Sequence, residues 1–431
     1  MADARDLKSR GLKKPCGFES RHRHQSFGAI RTGPGLQGGA PKLKSVLFIN
    51  RVYPPDEGAT GQLLAELAEA LAREGWSVTV LAAGGGKVDP RSSQRNGVTV
   101  HRVRGLPFTR ASLVRRALSY LSLYPALLWR ALRLPRHDVT VTLTDPPLLL
   151  VLGPWIRLFK RGRLVHWAQD VYPEVAEELG VLRRRGLGAR VLRAFSSWSL
   201  RRHHHVVAVG RCMKERLLAR GLPAEAVSVI PNWAVGFSSV PVAPVVAEGP
   251  LTVLYSGNFG LAHPFASIIE AVRKLDGAAA PVRFIFAGSG PRLGLVRDAL
   301  ASCRNVEFRP PAPLEELATS LAGADVHLAC MSEELLGLVV PSKIYGALAV
   351  GRPCVFLGPS PSEAARVFAE SGRGVVLPPG GSGESLAALL TRWAGRDAEF
   401  RALQAVCLTT VPDLTDLPLA EWRRVLDGPA A

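Results

Sequence analysis

A short apolar run, SVLFIN at 45–50, leads into a polar, glycine-bearing loop at 51–61, then into QLLAELAEALAREG and WSVTVLAAG. The first run is the length of a buried strand, and the third segment carries apolar residues at helical spacing. Gly75 marks the end of that helix, and the fourth segment reads as a second strand. Strand, loop, helix and strand in this order predict a doubly wound parallel sheet, whose ligands sit beyond the carboxyl ends of the strands. Gly58 and Gly61 therefore fall at the edge of a site, where a missing Cβ lets another backbone or a phosphate come close. The loop is not a GxGxxG and lacks the spacing of a dinucleotide-binding turn.

The same grammar recurs in the second half. LTVLYSGNFGLAHPFASIIEAVRKL (251–275) reads as strand, glycine turn and helix, and VRFIFAGSGP (282–291) as the next strand and glycine turn. Further strands are expected at VEFRP and DVHLAC, with a helix, LEELATSLAGA, between them. Between the halves, SSVPVAPVVAEGP (238–250) has linker composition. A chain of 431 residues, 47% apolar, has room for two such cores. The expected organisation is a basic N-terminal extension at 1–43, a first Rossmann-like domain at 44–236, a linker at 237–249, a second domain at 250–410, and a terminal helix and tail at 411–431 that cross back to the first domain.

Residues 1–43 hold nine Lys and Arg against three Asp and Glu and show no apolar period. They read as disordered. No apolar core of signal-peptide length follows the charged start. The extension is either translated upstream sequence, with the true start near Leu43, or a basic tail. The net charge of +18 favours anionic partners. No zinc-finger or aromatic–basic RNA pattern is present, so nucleic acid is not expected. Residues 110–136 combine six arginines with apolar residues at helical spacing (Leu113, Ala117, Tyr120, Leu121, Tyr124, Leu128), a face suited to an anionic bilayer. The alternative is a pair of sheet-packed helices broken at Pro125. The apolar stretch 148–159 is too short to span a membrane. Six scattered cysteines predict free thiols in a reducing compartment. His203, His204 and His205 have no ligand-like acidic or cysteine neighbours, so a basic or phosphate-facing run is expected rather than a metal site.

Candidate site residues fall at strand ends. The strand LVHWA ends in Gln169-Asp170, and a carboxylate there can orient or deprotonate a hydroxyl; the alternative for Asp170 is a helix N-cap. Glu174 follows one helical turn later, whereas His166 points into the sheet packing. The turn Ser256-Gly257-Asn258 feeds a helix and offers backbone N–H groups to a phosphate. Gly288 and Gly290 either approach a nucleotide or simply make a tight turn. From Glu333 onward, EELLGLVVPSKIYGALAVGRPCV reads as acidic loop, helix start, helix, turn and strand. Ser342 and Lys343 stand at the start of that helix, where unpaired N–H groups and the dipole favour an anion.

Four segments in order, the 58–61 glycine loop, HWAQDVYPE, YSGNFGLAH and EELLG with PSKIYG, resemble the GT-B glycosyltransferases of the retaining family-4 type, in particular those similar to colanic-acid, capsule and O-antigen enzymes. The likeness spans about 44–428. It implies an α/β, GT-B architecture, two Rossmann-like doubly wound parallel-sheet domains facing a cleft, and transfer of a hexosyl or N-acetylhexosaminyl group from a nucleotide-diphosphate sugar. The implied roles are Asp170 and Glu334 as catalytic, with Ser256, Gly257, Asn258, His263, Gly288, Gly290, Gly337, Leu338, Ser342 and Lys343 binding donor. No metal or other cofactor is implied. The implied acceptor is a polyprenyl-diphosphate-linked glycan, and the implied place is peripheral, on the cytoplasmic face of the plasma membrane. Two departures stand out. Asn258 and His263 replace the Arg and Lys that hold the diphosphate in many relatives, and Gly346 stands where a second Glu would bind ribose; Glu363 is a candidate substitute. Rival readings are a sugar-nucleotide epimerase of the same fold and a catalytically silent scaffold.

Overall fold

The computed structural model describes residues 44–56, 58–84, 92–106, 113–184, 186–237, 249–379, 383–409 and 416–428, all within one compact unit, Leu43–Ala431. The expected extension at 1–43 and most of the expected linker lie outside the described residues.

Eight strands make the first sheet: β1 Ser45–Ile49, β2 Ser77–Ala83, β3 Ser93–Arg95, β4 Val98–Val103, β5 Val139–Thr142, β6 Arg163–Ala168, β7 His205–Ala208 and β8 Val227–Val229. Their order is β3-β4-β2-β1-β5-β6-β7-β8, and only the β3–β4 pair is antiparallel. Six strands make the second: β9 Leu251–Asn258, β10 Val282–Ser289, β11 Val306–Arg309, β12 Val326–Cys330, β13 Cys354–Leu357 and β14 Gly374–Leu377. They are parallel throughout, in the order β11-β10-β9-β12-β13-β14. The central strands are apolar because helices cover both sheet faces, as in any parallel sheet. In each sheet the strand order reverses once, at β1/β5 and at β9/β12, and each reversal opens a crevice at the carboxyl edge.

Helix Ala59–Arg73 buries Leu63, Leu64, Leu67 and Leu71 on the first sheet. Helix Leu113–Arg133 runs unbroken through Pro125, contrary to the expected break. Pro125 sits on the exposed side, as does Leu121 four residues before, so the carbonyl robbed of its partner is within reach of water. The face expected to meet a membrane is divided, with Ala117 and Leu121 exposed and its tyrosines turned to the protein. Tyr124 donates to the Pro147 carbonyl and Tyr120 lies against Arg51. Leu123, Leu127 and Ala131 pack into the core, and Leu118, Leu121 and Trp129 are the exposed ones. No helix among the described residues is long and apolar enough to cross a membrane.

The last helix, Leu419–Asp427, lies on the first sheet. Trp422 meets Trp167 edge-on at 4.5 Å, Trp167 stacks on Trp233 at 5.9 Å, and Arg163 Nε donates to the Val425 carbonyl. A continuous packed region also joins the halves, running from Phe48 and Trp167 to Leu338, Tyr345 and Phe368.

Candidate active site

The crevice of the second sheet is built around one lysine. Lys343 opens the helix Lys343–Ala349, and its stem runs over Gly257, where a Cβ would come within 3.1 Å of Cε. Its ammonium lies 3.8 Å from the centre of the Tyr255 ring. It donates to the Asn258 carbonyl at 3.0 Å and to the Tyr255 hydroxyl. Burial pulls its pKa down to about 7, opposed by the Cys330 thiol. Next to it, His263 hydrogen-bonds the Cys330 carbonyl through Nδ1 at 2.7 Å. Burial, then the charges of Lys343 and Arg292, press His263 down to about 3, so it is uncharged in the free protein. The second cation is Arg292, which sequence reading missed. Its Nη1 lies 3.4 Å from the His263 carbonyl and its N–H donates to Phe259. The available signal was its place directly after the glycine turn, in GSGPR.

The glycines here serve backbone packing. A Cβ on Gly288 would stand 1.9 Å from the Gly257 carbonyl oxygen, and one on Gly290 2.7 Å from the Phe259 nitrogen. Both have positive φ, so the end of β10 can lie flush against the end of β9. Ser256, Gly257 and Asn258 are the last residues of β9 rather than a turn feeding a helix; the next helix, Ala266–Gly277, begins after an intervening segment. Phe259 and Phe265 in that segment stack at 5.2 Å in the core, which pulls the chain inward before the helix can start.

The loop before Lys343 faces the first half of the chain. Glu333–Leu335 forms a short 3-10 turn that leaves Glu334 exposed. Gly337 has positive φ, and a Cβ there would lie 2.7 Å from the Cys212 carbonyl. Leu338 is buried and its carbonyl accepts from the Val171 N–H at 2.9 Å. Asp170 and Val339 form an antiparallel bridge. Gly337 and Leu338, expected to bind donor, also hold the halves together. Ser342 is half-buried and makes no side-chain cap.

At the first sheet's crevice, Arg51 follows β1 and Asp145 follows β5. Arg51 Nε and Nη2 reach the two carboxylate oxygens of Asp145 at 2.7 and 2.8 Å, and its N–H donates to the Asp145 carbonyl. Asp170, past the end of β6, is partly exposed, yet its carboxyl lies deep enough that burial raises its pKa to about 7, with Asp145 adding to the rise. Such a carboxyl is half-ionised near neutrality, as a proton acceptor requires. Gln169 beside it is pinned by reciprocal bonds to Asn232, at 3.0 and 2.9 Å. Gly58 and Gly61 permit close packing on Val52, 3.0 and 2.8 Å from its Cγ1 for a notional Cβ.

Three expectations are corrected. Glu174 pairs with exposed Arg193 and half-buried Arg220, both at 3.6 Å, and so is engaged by guanidinium groups of the first half rather than free as a second site carboxylate. Glu363, suggested for ribose, is buried and engaged with the backbone N–H and guanidinium of Arg211, at the start of helix Arg211–Leu218. The run His203, His204 and His205 is not a basic patch. His203 lies buried beside Thr142 and His166, His204 accepts from the Leu164 N–H, and His205 contacts Ser228. Burial lowers all three, and presses the neighbouring His166 to about 3. Among the described residues no group of three His, Cys, Asp or Glu is placed to hold a metal.

Two family models match in succession, a glycosyl transferase 4-like domain over residues 58–233 and glycosyl transferases group 1 over 250–394. The chain is 30% identical over 260 residues to the probable glycosyltransferase WbjE of Pseudomonas aeruginosa, a match covering 57% of this chain and 64% of that protein. It is 27% identical over 346 residues to the putative colanic acid biosynthesis glycosyl transferase WcaI of Escherichia coli K12, covering 72% and 82%. Among solved structures, Anabaena HepE, crystallised with UDP and glucose, superimposes with a TM-score of 0.65 at 15% identity, over 89% of this chain and 99% of that one.

Proposed function

Because this chain belongs to the family-4 glycosyltransferases of GT-B fold, we propose that it moves a sugar from a nucleotide-diphosphate donor to a lipid-linked glycan in polysaccharide synthesis, with retained anomeric configuration. The observation that carries this reading is the pair of cations at the second crevice. Lys343 and Arg292 converge there around neutral His263. They take the place of the Arg and Lys expected at Asn258 and His263. As the bond from the anomeric carbon to the diphosphate breaks, negative charge gathers on the departing oxygens. A half-buried ammonium and a guanidinium stabilise that charge more than they stabilise the intact donor. Asp170 orients the acceptor hydroxyl and takes its proton while the acceptor oxygen bonds the same face of the sugar. Glu334 positions the donor sugar. The transfer takes place at the cytoplasmic face of the membrane, where a polyprenyl-diphosphate glycan presents its free end. No metal is needed in this scheme, since the two cations supply the counter-charge.

A catalytically silent scaffold is the second reading. What favours it is Gly346, in the place of the second Glu, together with the engagement of Glu363 elsewhere.

Calorimetric titration with UDP-, GDP- and dTDP-sugars tests the reading. One donor class should bind, and Lys343→Ala should weaken it about 30-fold, the loss expected of a charge-assisted contact of about 2 kcal/mol. Binding that is indifferent to Lys343 would move the diphosphate elsewhere. Binding to none of the three would favour the scaffold.

A further inference from the structure

We propose that the face formed by helices Leu152–Lys160 and Leu187–Leu200 is the surface by which this protein docks on an anionic lipid bilayer. The claim deepens the reading above, in which the acceptor is membrane-borne, and it names a different surface from the one the sequence pointed to.

Each helix turns an apolar stripe to solvent. Trp155, Leu158 and Phe159 are spaced i, i+3, i+4, and Leu187, Val191 and Phe195 are spaced i, i+4, i+8, so each set shares one side of its helix. Leu187 is 78% exposed, Leu158 69% and Phe159 60%. The helices are joined at the surface by Trp155 and Trp198, whose rings lie 6.4 Å apart. Between them runs an open groove lined by Trp155, Leu158 and Trp198 together with Arg157, Arg161 and Arg202. The Arg202 guanidinium lies 4.3 Å above the Trp198 ring. Among the described residues, every large aromatic that is strongly exposed sits on these two helices or on the adjoining Leu113–Arg133: Trp129, Trp155, Phe159 and Phe195. Exposed apolar side chains of the second half are single leucines and valines such as Leu295 and Val406, an ordinary surface feature.

Charge decides the occupant. Residues 146–169 contain no Asp or Glu and four Lys or Arg, and residues 179–214 contain no Asp or Glu and nine Lys or Arg, of which Arg184, Arg193 and Arg211 are paired with Glu178, Glu177 and Glu363. A second copy of this chain would bring the same positive charge against itself. A bilayer with anionic headgroups takes both components at once. Indole and phenyl rings settle at the headgroup level, and arginines reach phosphates with their stems lying on apolar surface. Each basic residue near such a surface adds to the attraction, and that part of it falls off with salt.

The test is co-sedimentation of the full chain with phosphatidylcholine vesicles, with and without phosphatidylglycerol, in the absence of donor and acceptor. Three variants are compared: Trp155→Ser with Phe195→Ser, Arg157→Ser with Arg161→Ser, and Leu121→Ser with Trp129→Ser. Circular dichroism and donor titration serve as folding controls. Residues 1–43 are present in every variant, so their own attraction to lipid cancels. The expected result is binding to the anionic vesicles, weakened roughly tenfold or more by the first two variants and less by the third. Three outcomes would overturn the proposal: binding unchanged by the first two variants, loss confined to the third, or a change of oligomeric state with lipid binding intact. Failure to bind either vesicle would overturn it as well. In each case a normal donor titration would leave the transferase reading standing.

Discussion

The two crevices lie at equivalent points of two similar sheets, yet they carry opposite chemistry. In the first, the cation is already matched, since Arg51 grips Asp145 with two bonds, and the charge left in play is the carboxylate of Asp170. In the second, Lys343 is held by neutral oxygens and an aromatic ring, and Arg292 stands near a histidine kept uncharged. A doubly wound sheet fixes where a site lies; the residues at its strand ends fix whether that site receives an anion or a proton.

Three experiments sharpen or break this contrast. The largest effect is expected from Asp170→Asn, which should lower kcat about 10²- to 10⁴-fold while leaving donor affinity within about twofold. Steady-state transfer kinetics with a lipid-linked acceptor would read it, and a loss of donor binding instead would place Asp170 on the wrong partner. The next effect is a pH dependence of donor binding. With a pKa lowered to about 7 in the free protein, Lys343 is charged below that pH and must gain a proton to meet the diphosphate above it. Affinity should therefore fall as pH rises from about 7, by up to about tenfold per unit, and Lys343→Arg should flatten the profile because a guanidinium does not titrate there. A flat wild-type profile would show that Lys343 is not the anchor. The smallest effect concerns the contact between the halves. Glu363→Gln should cost about 2 kcal/mol in urea unfolding, because the Arg211 side chain and N–H lose a charged acceptor, with donor affinity unchanged. Weakened donor binding at full stability would return Glu363 to the site.

Much of this was legible beforehand. The strands at 45–49, 77–83, 251–258 and 282–289 follow from short apolar runs closed by glycine or polar residues, and the family from motifs standing in order. The place of Lys343 at the start of an apolar helix was legible from the proline turn before it. The glycines were found but the backbone they make room for was not, since the neighbour that forbids a Cβ at Gly288 is Gly257 on another strand. Glu363 was misread for a similar reason, its partner Arg211 lying 152 positions away. Arg292 escaped notice because its place after the glycine turn is a faint signal in a chain so rich in arginine, until the fold brings it beside His263. The histidine run misled because burial, which removes its charge, has no trace in three adjacent letters.

The return of the final helix to the first sheet has a mechanical meaning. With Trp422 seated on Trp167 and Asp427 tied to Lys44, the chain passes between the halves twice, once on the way out and once on the way back. A body tethered by one strand of chain can swing in any direction. One tethered by two, with Trp422 and Leu426 packed in the same core as Leu338 and Tyr345, loses most of that freedom. Separating the halves would therefore mean unseating the last helix from the first sheet as well as parting Val171 from Leu338 and Arg211 from Glu363.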